Sequence, residues 1–255
     1  MSQHPSARPS VPVGLLGMQP PVFRPRDVAF WNNPAKELAR LSHAGVVAAP
    51  VHGYYVVVPA ERLGDRSWRP AIEGFALALA QRVTDVDRAA LMGPSAARLH
   101  GALPRAIGIA VVAVGARRRS LRTAWGEIVF VARDVAALDL QRVDTDLTSG
   151  WATTIEQTIL DVADRPGLGG LDPVAASEIL TALAARADWH LVADLADRQH
   201  RRAAFARARW VADAVAPSDA PMPPAPSHRD RYAAPMGLRP AAPTDAAPFG
   251  VEEVE

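Results

Sequence analysis

NNPAKELARLSHAGVVAAPVHGYYVVVP, residues 32–59, carries the clearest structural punctuation in the chain. Asn33 is a favourable helix N-cap, and Pro34 fits the first helical position, where a missing N–H costs nothing. Leu38 and Leu41 fall on one face, and Gly45 supplies the stop. Two β-rich runs follow, VVAAPV and YYVVVP, joined by His52-Gly53, a two-residue turn with glycine second. Upstream, RPRDVAFW predicts a short helix beginning at Pro25. Helix, helix and hairpin in this order is a winged helix-turn-helix pattern, expected over residues 21–62.

Charge gives that unit a direction. Arg24, Arg26, Lys36 and Arg40 outweigh Asp27, Glu37 and Glu61. Asn32, Asn33, Lys36 and Arg40 line the start and outer face of the second helix, the place from which base edges are read. His52 and Gly53 form the wing tip. These residues are candidates for DNA binding, although small helix-plus-hairpin units also serve purely as protein contacts.

Downstream the pattern is mixed, so the fold class expected is α+β: a winged helix-turn-helix, then a larger mixed α/β domain with a helical C-terminal part. PAIEGFALALA is an apolar helix, and VDRAALMGPSAARLHG reads as a second one interrupted at Gly93-Pro94. IGIAVVAV (107–114) and EIVFVA (127–132) are short and β-branched, hence buried strands. Between them GARRRSLRTAWG concentrates Arg117, Arg118, Arg119 and Arg122 in one hairpin loop, either a phosphate contact or a solvated loop. Asp144 and Asp146 read as turn residues before a strand.

TTIEQTILDVADRPGLGG opens the helical part. Thr153 with Glu156 makes a capping-box signature, Ile155, Ile159, Leu160 and Ala163 form an apolar face, and Arg165-Pro166-Gly167 ends the helix. Asp172-Pro173 starts another helix to about Arg186, and 188–215 holds one or two more. Arginines 198, 201, 202, 207 and 209 are spread around the last stretch, which predicts a solvated surface. Residues 63–216 are expected to form this domain. Residues 1–20 read as a flexible arm, ordered only near Leu15-Leu16. Residues 217–255 carry nine prolines and cannot build a packed core, so they are expected to be disordered or partly polyproline II.

The composition removes several classes of chemistry. There is no cysteine, hence no disulfide framework and no thiolate nucleophile. Lys36 is the single lysine, which excludes a P-loop, an S-x-x-K dyad and an E-x-K nuclease site. No G-x-S-x-G or GxGxxG occurs, and GLGG at 167–170 follows a helix rather than a strand. The seven histidines form no H-E-x-x-H. Glu156 and Asp161 stand five apart on one helix and point to different faces. The expectation is a non-enzymatic protein with no metal and no cofactor. The start of the chain lacks a secretory pattern, and the longest apolar run, 106–116, is about half a membrane span. A cytoplasmic protein without membrane contact is expected.

GPSAARLHGAL (93–103) pairs His100 with Gly101 in a way that suggests an active-site histidine. Pro94 at a helix start, three alanines and Gly101 as a C-terminal cap instead describe a tightly packed helix end. A histidine in the last turn suits the helix dipole, and its ring can satisfy a buried backbone group.

HGYYVVVPAE after LARLSHAG, then GPSAARLHGA, then TTIEQTILDVADRPGLGG, in that order across about 23–215, resemble the AbiEi-type antitoxins of type IV toxin–antitoxin operons. The resemblance implies an N-terminal winged helix with the wing at 46–58 and the recognition helix at about 33–44. It also implies a larger antitoxin domain whose signatures are His100, Gly101, Glu156, Thr158, Asp161, Arg165, Pro166, Gly169 and Gly170. By the same resemblance the protein represses its own operon by binding operator DNA and neutralises a cognate nucleotidyltransferase-type toxin, often in phage defence. Homodimerisation on DNA is open, and so is an antitoxin whose winged helix only docks protein. Phe23 to Gly45 leaves little room for three helices, so the middle helix must be very short or missing.

Overall fold

The computed structural model describes residues 10–105 and 107–214; the proline-rich segment 217–255 and the first nine residues of the expected arm lie outside them. Along the chain come α1 (Val13–Leu16), β1 (Val22–Phe23), a single 3-10 turn (Pro25–Val28), α2 (Pro34–His43), β2 (Val47–Val51) and β3 (Tyr54–Val57). The three strands form one antiparallel sheet in the order β1-β3-β2. Asn33 caps α2, its side chain accepting from the Lys36 N–H at 3.1 Å. Val51 pairs with Tyr54 across the two-residue turn, and Gly53 adopts φ +78°, a conformation open to glycine. Pro50 sits where the register shifts, on the edge strand β2, the position in a sheet where a missing donor is tolerated.

Strand periodicity places this sheet between two cores. Phe23, Val47, Tyr55 and Val57 face Leu15, Leu38 and Leu41, whereas Val22, Val51, Tyr54 and Val56 face the other way, toward the larger domain. The described part of the expected arm is therefore not free: Leu15 of α1 is buried in the first core, where removing one leucine side chain from water contributes roughly 1.5–3 kcal/mol.

The larger domain comprises α3 (Ile72–Val83), β4 (Ala89–Leu91), α4 (Pro94–Leu99), β5 (Ile109–Val114), β6 (Leu121–Thr123), β7 (Gly126–Ala132), β8 (Leu140–Asp144), β9 (Ser149–Thr153), α5 (Ile155–Asp164), α6 (Pro173–Ala184), α7 (Trp189–Arg198) and α8 (Arg202–Asp213). The α+β class is observed. Its six strands run β6-β7-β5-β4-β9-β8. Helix α3 covers one sheet face, packing Phe75, Leu77 and Leu79 against Ala110, Val112, Val114 and Ile128. Helices α5–α8 bury a second apolar cluster among themselves. No helix among the described residues is long and apolar enough to cross a membrane.

Four local expectations are corrected. Ala89–Leu91 is a strand, not a helix, because β5 on one side and β9 on the other satisfy its backbone, and all three residues are buried. The segment between β5 and β7 is not a hairpin loop: those strands are parallel, and the chain first crosses to form β6 beyond β7. The cap of α5 is Thr154, whose hydroxyl accepts from the Gln157 N–H, while Thr153 is buried at the end of β9 with its hydroxyl on Thr158. Finally, the arginines near the C-terminus are not uniformly solvated. Arg201 and Arg209 are almost fully buried and Arg207 largely so, leaving Arg198 and Arg202 on the surface.

Candidate nucleic-acid interface

The outer face of α2 carries Asn32, Asn33, Lys36 and Arg40, all exposed. Leu38 and Leu41 fix that orientation by anchoring the opposite face in the core. Asn33 spends one side-chain oxygen on the cap, and Arg40 is held at 2.9 Å by Glu37 one turn back. Lys36 stands exposed on this face beside them, and His43 is exposed in the last turn. His52 is exposed at the hairpin tip. The hairpin is held from outside close to its tip, since the Ala124 N–H donates to the Pro50 carbonyl at 2.7 Å, two residues before His52.

Not all the sequence-predicted DNA residues share this face. Strand alternation puts Arg24, next after Phe23, on the Tyr54 side of the small sheet. There its guanidinium lies 4.5 Å from the Tyr54 ring centroid and reaches the Tyr54 hydroxyl. Arg118 and Arg119 border the same region as Tyr54, and Arg117 lies beside them in the exposed loop. The small sheet thus separates Asn32, Asn33, Lys36 and Arg40 from Arg24, Arg118 and Arg119. Arg26 is exposed and 3.9 Å from Asp27. Asp27 is the organiser of this corner. Burial alone would raise its pKa, but hydrogen bonds from Arg82 and the Arg24 N–H, with the charges of Arg82 and Arg26, outweigh that and hold it below the usual carboxylate range.

The signatures of the larger domain converge on packing. His100 caps α4, and its Nε2 lies 2.8 Å from the Thr153 carbonyl; a carbonyl only accepts, so this nitrogen carries the hydrogen. The His100 carbonyl accepts from Arg186 at 2.7 Å, and Gly101 follows at φ +74°. Gly169 has φ +68°, and a Cβ there would stand 2.8 Å from Val111 Cγ2 and 2.9 Å from Pro94 Cγ. Gly170 follows at φ +75°. The segment after α5 is thereby pressed onto α4 and β5. Glu156 accepts from the Asp188 N–H at 3.0 Å, joining α5 to the start of α7.

Asp161 lies at the other end of α5 and is completely buried. Arg201 meets it at 2.9 Å, and Gln157 donates to the same oxygen. Burial pushes its pKa up to about 6 despite Arg201 and Arg133. Asp164, one turn on, lies within 4.0 Å of Arg133, Arg165, Arg201 and Arg207. Arg133 is itself drawn below its ordinary value, first by burial and then by the charge of Arg201. Sequence reasoning placed Asp161 among the signatures but missed its partners Arg201 and Arg133; the signal available was the excess of arginine at 198–209.

No family model matches the chain, and no curated protein matches it. Among solved structures, the RV2827C protein from Mycobacterium tuberculosis is similar over 76% of this chain and 72% of that one, with a TM-score of 0.54 at 19% identity. That likeness is one of fold alone.

Proposed function

We propose that this protein is a non-enzymatic antitoxin of the AbiEi type, which represses its own operon through α2 and neutralises a nucleotidyltransferase-type toxin in the cytoplasm. The observation that carries the DNA-binding half is the polar outer face of α2, with Asn32, Asn33, Lys36 and Arg40 projecting from a helix locked by Leu38 and Leu41. The strand order β1-β3-β2, with the hairpin following the helix, supports reading 46–58 as a wing. The short helix expected from Pro25 is a single 3-10 turn, Pro25–Val28, ahead of α2. The toxin half rests on the ordered motifs in the sequence.

With Arg24 on the far side of the small sheet, Arg26, Lys36 and Arg40 supply the phosphate contacts. Three neutralised phosphates give log K a slope of about −3 against log salt. The test is a gel-shift titration on the DNA upstream of the gene. Lys36→Glu with Arg40→Glu is expected to weaken binding more than tenfold and flatten the slope, whereas Arg117→Glu leaves both unchanged. Absence of any binding by the parent protein at low salt would sink the repressor half. Growth on co-expression with the neighbouring toxin gene tests the other half.

A second reading has its own observation. Val13, Leu16 and Phe30 are exposed apolar side chains of the N-terminal unit, and Phe30 packs over Gly14. They suit a protein contact, in which the winged helix docks the toxin or a second copy. Phe30→Asp would then abolish protection while leaving DNA binding intact; the repressor reading expects the reverse from the α2 variant.

A further inference from the structure

On the Tyr54 side of the small sheet, facing away from α2, lies an open pocket of about 350 Å³. It is lined by Tyr54, Leu79, Val83, Leu121 and Phe130 together with the exposed Arg118 and Arg119. The opening follows from strand lengths. Phe130 is on the α3 face of the sheet, and β6 pairs only as far as Leu121 opposite Ile128, so β6 supplies no cross-strand neighbour to Phe130, which is left half-buried. Leu79 and Val83, four apart on α3, close the opposite wall.

We infer that this pocket binds a nucleoside phosphate, its base against Tyr54 and Phe130 and its phosphate on Arg118 and Arg119. The volume falls in the range of small-molecule sites, about 300–1,000 Å³. Aromatic and aliphatic walls accept the flat face of any base, and exposed arginine matches phosphate geometry. Among the described residues no carboxylate lies within ion-pair distance of Arg117, Arg118 or Arg119, all three exposed, whereas the neighbouring Arg122 stands 3.9 Å from Glu127. Arg118 is pre-positioned, donating to the Val83 carbonyl at 2.8 Å. A paired base cannot enter a concave site without leaving its stack. The occupant is therefore a free nucleotide or an unpaired base of a single strand. The site does not involve α2, so it stands or falls separately from operator binding.

Calorimetric titration of the full chain with AMP, GMP, CMP, UMP and inorganic phosphate tests this, with a short single-stranded DNA and a fully paired duplex as parallel arms. At least one mononucleotide, or the single strand, is expected to bind one-to-one and at least tenfold tighter than inorganic phosphate. Saturation by a mononucleotide assigns a free nucleotide; binding of the single strand alone assigns an unpaired base. Arg119→Glu, which removes charge, and Leu121→Trp, which fills the pocket, should each weaken binding more than tenfold at an unchanged melting temperature. Lys36→Glu with Arg40→Glu should leave it untouched. No binding of either ligand at millimolar concentration overturns the assignment. So does binding that Leu121→Trp leaves unaltered, or inorganic phosphate binding as tightly as the nucleotides.

Discussion

Arg117, Arg118 and Arg119 form one arginine cluster, and Arg201, Arg207 and Arg209 form another, yet the two have opposite fates. The first group lies exposed in the segment leading to β6, without a carboxylate partner among the described residues. The second is drawn into the helical layer. Arg201 meets Asp161 and Arg207 donates to the Ala163 carbonyl at 2.7 Å. Arg209 pairs with Asp213 at 2.9 Å with its guanidinium 4.9 Å from the Trp189 ring centroid. The difference lies in what each backbone is attached to. A crossover between strands at a sheet edge must run over the surface, where arginine stays hydrated. On the packed face of a helix set against three others, long side chains cannot reach water and take the partner within reach: Arg207 takes a neighbour's carbonyl and Arg209 a carboxylate of its own helix.

The sharpest way to break that contrast is to remove the buried partner. Asp161→Ala leaves Arg201, 9% exposed, with only Asp164 at 3.9 Å. Stripping one member from a buried pair costs about 3–5 kcal/mol. Arg119→Ala, on an exposed loop, is expected to stay within about 0.5 kcal/mol of the parent. Urea denaturation of the two variants measures both. A loss below 1 kcal/mol for Asp161→Ala would mean that the pair is not structural.

How much of this could be read from the sequence follows the same division. The N-terminal unit announces itself because its signals are local: Asn33-Pro34, Gly45 and His52-Gly53 each act within one turn. His100 was legible for the same reason, as a helix end satisfying a backbone group. What failed was non-local. Ala-Ala-Leu at 89–91 has helix-forming residues and too few positions for a period, and it becomes a strand only because β5 and β9 flank it. The parallel pairing of β5 with β7 was hidden because two strands with a short connection read as a hairpin, while the intervening Leu121–Thr123 is too short to signal a third. Within the candidate site, residue types were legible but sides were not. Only the alternation of Tyr54 and Tyr55, once both faces of the sheet prove to be covered, separates Lys36 from Arg118.

Glycine sharpens the comparison at the next level of energy. Gly169 in the larger domain and Gly53 at the hairpin tip both have left-handed φ, +68° and +78°. Around Gly53 nothing lies within 4 Å of an added Cβ, whereas at Gly169 the added atom collides with Val111 and Pro94. Gly53→Ala should therefore cost only the backbone strain, about 1 kcal/mol, and Gly169→Ala roughly 1–3 kcal/mol more for forced repacking. Equal melting temperatures for the two variants would show that the segment after α5 gives way easily and does not clamp α4 to β5.

A further contrast is expected in pH dependence, and it again separates the two regions. In the folded chain Asp161 titrates near 6, raised from 3.8 first by burial, so between those values the native state holds a proton that the unfolded chain has released. The stability contributed by this site is fully present below about pH 3.8 and is lost as pH rises through about 6. The slope cannot exceed about 1.4 kcal/mol per pH unit. Asp27 in the N-terminal unit works in the opposite sense: its lowered pKa contributes stability above 3.8 that is lost as pH falls through its folded value. Asp161→Asn keeps the shape and removes the titration. Melting temperature against pH should rise less for this variant than for the parent between pH 6.5 and 4.5, while Asp27→Asn should leave that interval nearly unchanged and flatten the loss below it. Parallel curves for parent and Asp161→Asn would mean that Arg201 and Arg133 hold Asp161 ionised through the whole interval, and that the buried cluster on α5 is a permanent ion pair with no proton exchange near neutrality.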